Sequence, residues 1–92
     1  MPFSERDLAL VVDQQCPSSD LMQAIRKAGK PLLEQVQLID RFEGDQLGAG
    51  KASQAFRLRY RGKSTLKDEE VQPVHDKIRK ALEKQFGAEL RS

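Results

Sequence analysis

Apolar and polar positions change period several times along this 92-residue chain, and the changes predict a sequence of short elements. Asp7 to Asp13 reads DLALVVD, an apolar, β-branched run closed by polar residues, which predicts a strand. Leu8, Leu10 and Val12 then share one face, and Ala9 and Val11 the other. Pro17 breaks the extended run, and Ser18 or Ser19 is placed to accept a hydrogen bond from an orphan amide at the start of a helix. Leu21, Ala24, Ile25 and Ala28 form that helix's apolar stripe. Gly29 is expected to supply a left-handed stop, with Lys30-Pro31 confirming the break.

Leu32 to Glu43 mixes apolar and polar residues at near-alternation, with Val36, Ile39 and Phe42 the best strand formers. The glycine-rich run from Gly44 to Gly50 reads as a hairpin connection. Ala52 to Tyr60 alternates cleanly, with Phe56, Leu58 and Tyr60 on one face and Ser53, Ala55, Arg57 and Arg59 on the other. Beyond an Arg61-to-Thr65 loop, Asp68-Glu69-Glu70 places carboxylates where a helix dipole favours them. Val71, Val74, Ile78, Leu82 and Phe86 repeat at helical spacing to the stop at Gly87. Pro73 predicts a kink or an irregular first turn, and Ala88 to Arg91 a last short strand.

The order is β-α-β-β-α-β, an α+β plan in which both helices bury their stripes against one face of a four-stranded antiparallel sheet, the split βαβ of the ferredoxin-like sandwich. The other sheet face has no helix to cover it. Ala9, Val11, Ser53, Ala55, Arg57 and Arg59 fall there by alternation, small residues backed by arginines, which predicts a shallow positive platform suited to a flat base and its phosphate.

Length and composition narrow the function classes. Ninety-two residues suit one domain, 1–92, and 38% apolar with 33% charged residues fits a soluble chain. The longest apolar run, Leu8 to Val12, is far short of the roughly 20 residues a bilayer needs, and no leader pattern precedes it, so the expected compartment is the cytoplasm. A single cysteine, Cys16, and a single histidine, His75, exclude an internal disulfide and a Cys/His zinc site. The net charge of +2 divides unevenly, −3 over residues 1–50 and +5 over residues 51–92. Lys51, Arg57, Arg59, Arg61, Lys63 and Lys67 occur with no acidic residue among them, a stretch that favours a polyanion or else is simply solvated.

No catalytic constellation emerges. Gly44, Gly48 and Gly50 lack the strand-then-helix setting of a phosphate cradle. Cys16 stands ahead of a helix start, where a thiol pKa can be lowered, but no base is near in sequence. His75 reads as a surface residue on a charged helix flank. Asp40 and Phe42 share a strand face, with Phe42 just before the glycine loop. They are either an ordinary core aromatic with an edge charge, or a stacking platform beside a carboxylate that accepts from a base edge.

Six blocks then resemble a known family: Pro2 with Arg6 to Val12, Ile25 to Gly29, Leu38 to Gly44, Lys51 to Phe56, Thr65 to Val71, and Gly87 to Arg91. In order and gaps they are similar to the ferredoxin-fold anticodon-binding domain at the C-terminus of the bacterial phenylalanyl-tRNA synthetase β chain. The resemblance implies a tRNA-binding module that holds the anticodon stem-loop of phenylalanine tRNA while aminoacylation happens elsewhere in an α2β2 enzyme. The domain itself would then have no catalytic residue, metal or cofactor, and ATP and magnesium would serve the parent ligase. Its partners would be the tRNA, the rest of the β chain and the α chain. The family's contacts fall on Ala9, Asp40, Phe42 and Ser53, with Asp40 recognising the first anticodon base and Phe42 stacking on it. Two departures stand out: Phe42 replaces a common tyrosine, and Lys67 replaces the usual threonine or serine, which removes a helix N-cap. The chain is also expected to be a domain excised from a longer protein. The competing reading is a small-molecule regulatory or protein-docking domain on the same fold.

Overall fold

The computed structural model describes residues 3–30, 32–44, 48–62 and 67–90. Six elements follow in the expected order: β1 Ser4–Asp13, α1 Ser18–Gly29, β2 Leu33–Glu43, β3 Lys51–Tyr60, α2 Asp68–Phe86 and β4 Glu89–Leu90. The four strands form one antiparallel sheet in the order β2-β3-β1-β4. This is the arrangement of a ferredoxin-like sandwich.

Alternation placed the core correctly on the two central strands. Leu8, Leu10 and Val12 of β1 and Phe56, Leu58 and Tyr60 of β3 are all buried against Leu21 and Ile25 of α1 and Val71, Ile78 and Leu82 of α2. Burying each such side chain is worth about 1.5–3 kcal/mol, so this layer holds the sheet and helices together. Arg6, on the helix side of β1, adds a polar tie through Nη1 to Gln72 Oε1 at 2.9 Å and Nη2 to Asp68 Oδ1 at 3.4 Å.

Several local expectations need correcting. Gly29 ends α1 without a left-handed φ, since the positive-φ glycines among the described residues are Gly48, Gly50 and Gly87. Space is the reason for glycine there, because a Cβ would stand 2.6 Å from Leu33 Cβ and 3.2 Å from Ile78 Cδ1. Neither serine caps α1, whose N-cap is Pro17 with no side-chain cap. The Ser18 hydroxyl instead donates to Gln54 Oε1 at 2.7 Å, while Gln54 Nε2 donates to the Cys16 carbonyl at 3.2 Å. Gln54 is fully buried, and these bonds seat the β1–α1 connection on β3.

The second helix behaves closer to expectation. Gly87 takes φ +62°, and its N–H reaches the Glu83 carbonyl at 3.0 Å, with Ala88 packed into the core beyond it. Lys67 offers no side-chain acceptor, yet Glu70 still accepts the Lys67 backbone N–H at 3.1 Å, half of a capping box. The helix runs uninterrupted through Pro73. Expectations about Pro2, Pro31, Asp45 to Leu47, Lys63, Thr65, Leu66 and Arg91 lie outside the described residues.

Candidate nucleic-acid interface

The uncovered sheet face is laid out in cross-strand rows. Taken from β2 through β3 to β1, these rows are Gln35–Arg59–Glu5, Gln37–Arg57–Asp7, Asp40–Ala55–Ala9 and Phe42–Ser53–Val11. Asp40 and Phe42 therefore flank Ala9, Ala55 and Ser53 on a single surface.

Their presence there depends on an irregularity in β2. Val36 pairs with Leu58 and Leu38 with Phe56, both on the helix side, so strict alternation would carry Asp40 and Phe42 to that side as well. The register shifts between Leu38 and Asp40, leaving Ile39 as an extra residue, and beyond it Asp40 pairs with Ala55 and Phe42 with Ser53. The parity of β2 is thereby reversed. Phe42 is 45% exposed, which rules out an ordinary core aromatic. Asp40 is also exposed, its Oδ1 accepting the Arg41 N–H at 2.8 Å. Ser53 is only 7% exposed and Ala9 half-buried, so they form the floor between the two.

The positive platform expected from Arg57 and Arg59 is not what the face presents. Arg57 Nε lies 3.0 Å from Asp7 Oδ1, and Arg59 Nη2 lies 3.2 Å from Glu5 Oε2. Arg61 pairs in the same way with Glu34 at 3.3 Å. The three arginines of the acid-free stretch find their carboxylates on neighbouring strands. Arg59 also lies over the Phe3 ring, 4.4 Å from its centroid. The hydrogen bond and charge of Asp7 raise the Arg57 pKa further, so this guanidinium keeps its charge and its partner.

Two other candidates change character. The Cys16 thiol has its pKa raised by burial and by Asp20 and Asp13, the opposite of an activated nucleophile. His75 is buried, not on the surface, with Nδ1 3.0 Å from the Tyr60 hydroxyl. The signal that sequence reading missed is its spacing, since His75 follows Val71 by four residues and precedes Leu82 by seven on the same stripe. Among the described residues no group of three or more His, Cys, Asp or Glu is arranged to hold a metal ion. No helix among them is long and apolar enough to cross a membrane. A shallow groove of about 290 Å³, lined by Ala24, Lys27 and Phe86 among others, lies between the helices, away from the open face.

The family model described as the ferredoxin-fold anticodon binding domain matches residues 1–91. Similar curated proteins include the phenylalanine–tRNA ligase beta subunits of Synechococcus sp. (strain CC9605), 72% identical over the whole chain, and of Parasynechococcus marenigrum (strain WH8102), 75% identical. That of Geobacillus kaustophilus (strain HTA426) is 53% identical over 98% of the chain. The chain spans 12%, 11% and 11% of the length of these three relatives. A crystal structure of a hydantoinase/carbamoylase family amidase from Burkholderia ambifaria superposes on 98% of the chain, and on 27% of its own, with a TM-score of 0.60 at 13% identity. That likeness concerns the fold alone.

Proposed function

The chain belongs to the ferredoxin-fold anticodon-binding domain family, and we propose that its open sheet face holds the anticodon stem-loop of phenylalanine tRNA. The observation that carries this reading is the pairing of an exposed aromatic, Phe42, with an exposed carboxylate, Asp40, on one face above a floor of small residues. An unstacked base can lie on the Phe42 ring, and the Asp40 carboxylate can accept from an amino or imino group at the base edge. Ala9 and Ser53 leave room for the base to approach the sheet. Arg57 and Arg59, already paired, shape the neighbouring surface and contribute little net charge.

In this reading the domain works in the cytoplasm and serves a phenylalanine–tRNA ligase beta chain, the name its relatives carry. Aminoacylation, with its ATP, magnesium and α2β2 partners, belongs to the rest of that enzyme. Among the described residues no group of three or more His, Cys, Asp or Glu is arranged to hold a metal ion. Their work is binding and orientation.

Titration with a synthetic anticodon stem-loop of phenylalanine tRNA tests the proposal. Phe42→Ala and Asp40→Ala should each weaken binding, the former by roughly 5- to 150-fold, since base–aromatic stacking is worth about 1–3 kcal/mol. Lys84→Ala, on α2 and so across the sheet from this face, serves as the comparison. Equal losses in all three variants would remove the sheet face from consideration.

A further inference from the structure

The open face carries three cations opposite three carboxylates in the β1–β3 register, Arg59 against Glu5, Arg57 against Asp7, and Lys51 against Asp13. The first two rows close as ion pairs. The third does not. Asp13 is the last residue of β1, and its Oδ1 accepts the Gln15 backbone N–H at 2.9 Å, which turns the carboxylate into the bend that leads to α1. Glu43, opposite Ala52 on the other flank, pairs with Arg41 at 3.2 Å. Among the described residues, none forms an ion pair with Lys51, and its side chain is exposed.

Its position gives that free charge a use. Lys51 lies two residues from Ser53 on the same face of β3, about 7 Å along the strand, and Ser53 pairs with Phe42. The uncommitted ammonium is therefore at the Phe42 end of the face, while the neutralised arginines lie toward the other end. It also borders a concavity of about 300 Å³ at the β2–β3 hairpin, where Gly48 and Gly50 leave the backbone open.

We propose that Lys51 contacts the phosphate of the nucleotide whose base stacks on Phe42. This inference rests on the reading of the open face as an RNA site and specifies how that site meets the backbone. Stacking is uncharged, the Asp40 carboxylate attracts no phosphate, and Arg57 and Arg59 are internally compensated, so one ammonium at the Phe42 end of the face supplies the salt-sensitive part of the binding. A lysine suits the task as a point charge that can follow a mobile strand.

The test is the salt dependence of binding to the same stem-loop RNA, measured for the unaltered chain and for Lys51→Gln, Lys51→Arg, Lys84→Gln and Phe42→Ala. Each phosphate neutralised on a single strand contributes a slope of about −0.7 in log affinity against log salt. Lys51→Gln should make the slope shallower by about that amount, so that its deficit at 50 mM salt shrinks roughly 2.5-fold by 200 mM. Lys51→Arg should restore the slope and Lys84→Gln, on α2 across the sheet from this face, should leave it unchanged. An unchanged slope in Lys51→Gln, with Phe42→Ala still weakening binding, would overturn the role of Lys51 and leave the site standing. Full binding by Phe42→Ala would instead overturn the site, and the role of Lys51 with it.

Discussion

The Tyr60 hydroxyl and Nδ1 of His75 stand 3.0 Å apart, a hydrogen bond between β3 and α2 with both side chains buried. The rings meet edge to face at 72°, their centroids 6.3 Å apart. Each group perturbs the titration of the protein in a predictable direction. Burial lowers the His75 pKa, and the Arg6 and Arg79 cations lower it further against a smaller opposing effect of Asp76. Burial pushes the Tyr60 pKa up to about 12, opposed by Arg6.

The histidine makes stability fall on the acid side of neutrality. Below the ordinary value of 6.5 the unfolded chain takes up a proton on His75 that the folded chain refuses, so the unfolded state gains. The stability is complete above pH 6.5 and is lost as the pH falls toward the lowered folded value. Urea midpoints should therefore drop between pH 7.5 and pH 5.5, and His75→Gln should flatten that drop, an assignment made simple by the single histidine. An equal slope in the variant would mean that His75 is not held neutral.

On the alkaline side Tyr60 is the only tyrosine and no tryptophan is present, so tyrosinate absorbance reports this one residue. Its folded pKa is raised, so its contribution is fully present below pH 10 and is lost as the pH rises toward about 12. The folded chain should show its tyrosinate signal near pH 12, and a urea-unfolded sample near pH 10. A folded-state midpoint near 10 would contradict the burial.

Gly29 and Gly87 should respond to alanine for different reasons. At Gly29 the new Cβ meets Leu33 Cβ and Cδ2 at 2.6 and 2.7 Å, a clash that overrides the gain in helix propensity. A loss of about 1–3 kcal/mol is expected, relieved only when Leu33 Cβ is removed as well, in the double variant Gly29→Ala, Leu33→Gly. At Gly87 there is open space, and the cost of about 1–2 kcal/mol comes from φ +62° alone, so no neighbouring truncation should rescue it. Denaturant unfolding of the three variants separates the two causes.

How much of this was readable beforehand follows from which interactions are local. Alternation and helical spacing depend on neighbours in sequence, so the faces of Leu8, Phe56 and Ile78 and the stop at Gly87 emerged correctly. The ion pair of Arg57 with Asp7 joins residues 50 apart, and a scan for acids near the arginines could not find it. Gly29 was misread because a glycine after a helix signals positive φ more often than close packing. His75 was misread because its charged neighbours outweighed its place on the apolar stripe. Asp40 and Phe42 needed the family resemblance, because the extra residue that turns them outward leaves no mark in the alternation of β2.

That extra residue yields the sharpest expectation. Leu38 faces Phe56 and Asp40 faces Ala55, so Ile39 is surplus to the ladder, and deleting it leaves a regular strand with Asp40 and Phe42 still outward. RNA affinity should survive the deletion nearly unchanged. Deleting Arg41 has the opposite consequence. If the irregularity at Ile39 persists, Phe42 moves opposite Gln54 and turns toward the helices. If the strand instead absorbs the loss by becoming regular, Phe42 stays outward but Asp40 moves opposite Gln54 and turns inward. In neither case do the two share the open face, so the Arg41 deletion should weaken stem-loop binding by roughly 5-fold or more, whether it loses the stacked base or the charged base-edge hydrogen bond of Asp40, each worth at least about 1 kcal/mol. Loss of binding in the Ile39 deletion, with circular dichroism showing an intact fold, would mean that the irregularity itself shapes the site and does more than set the parity of the strand.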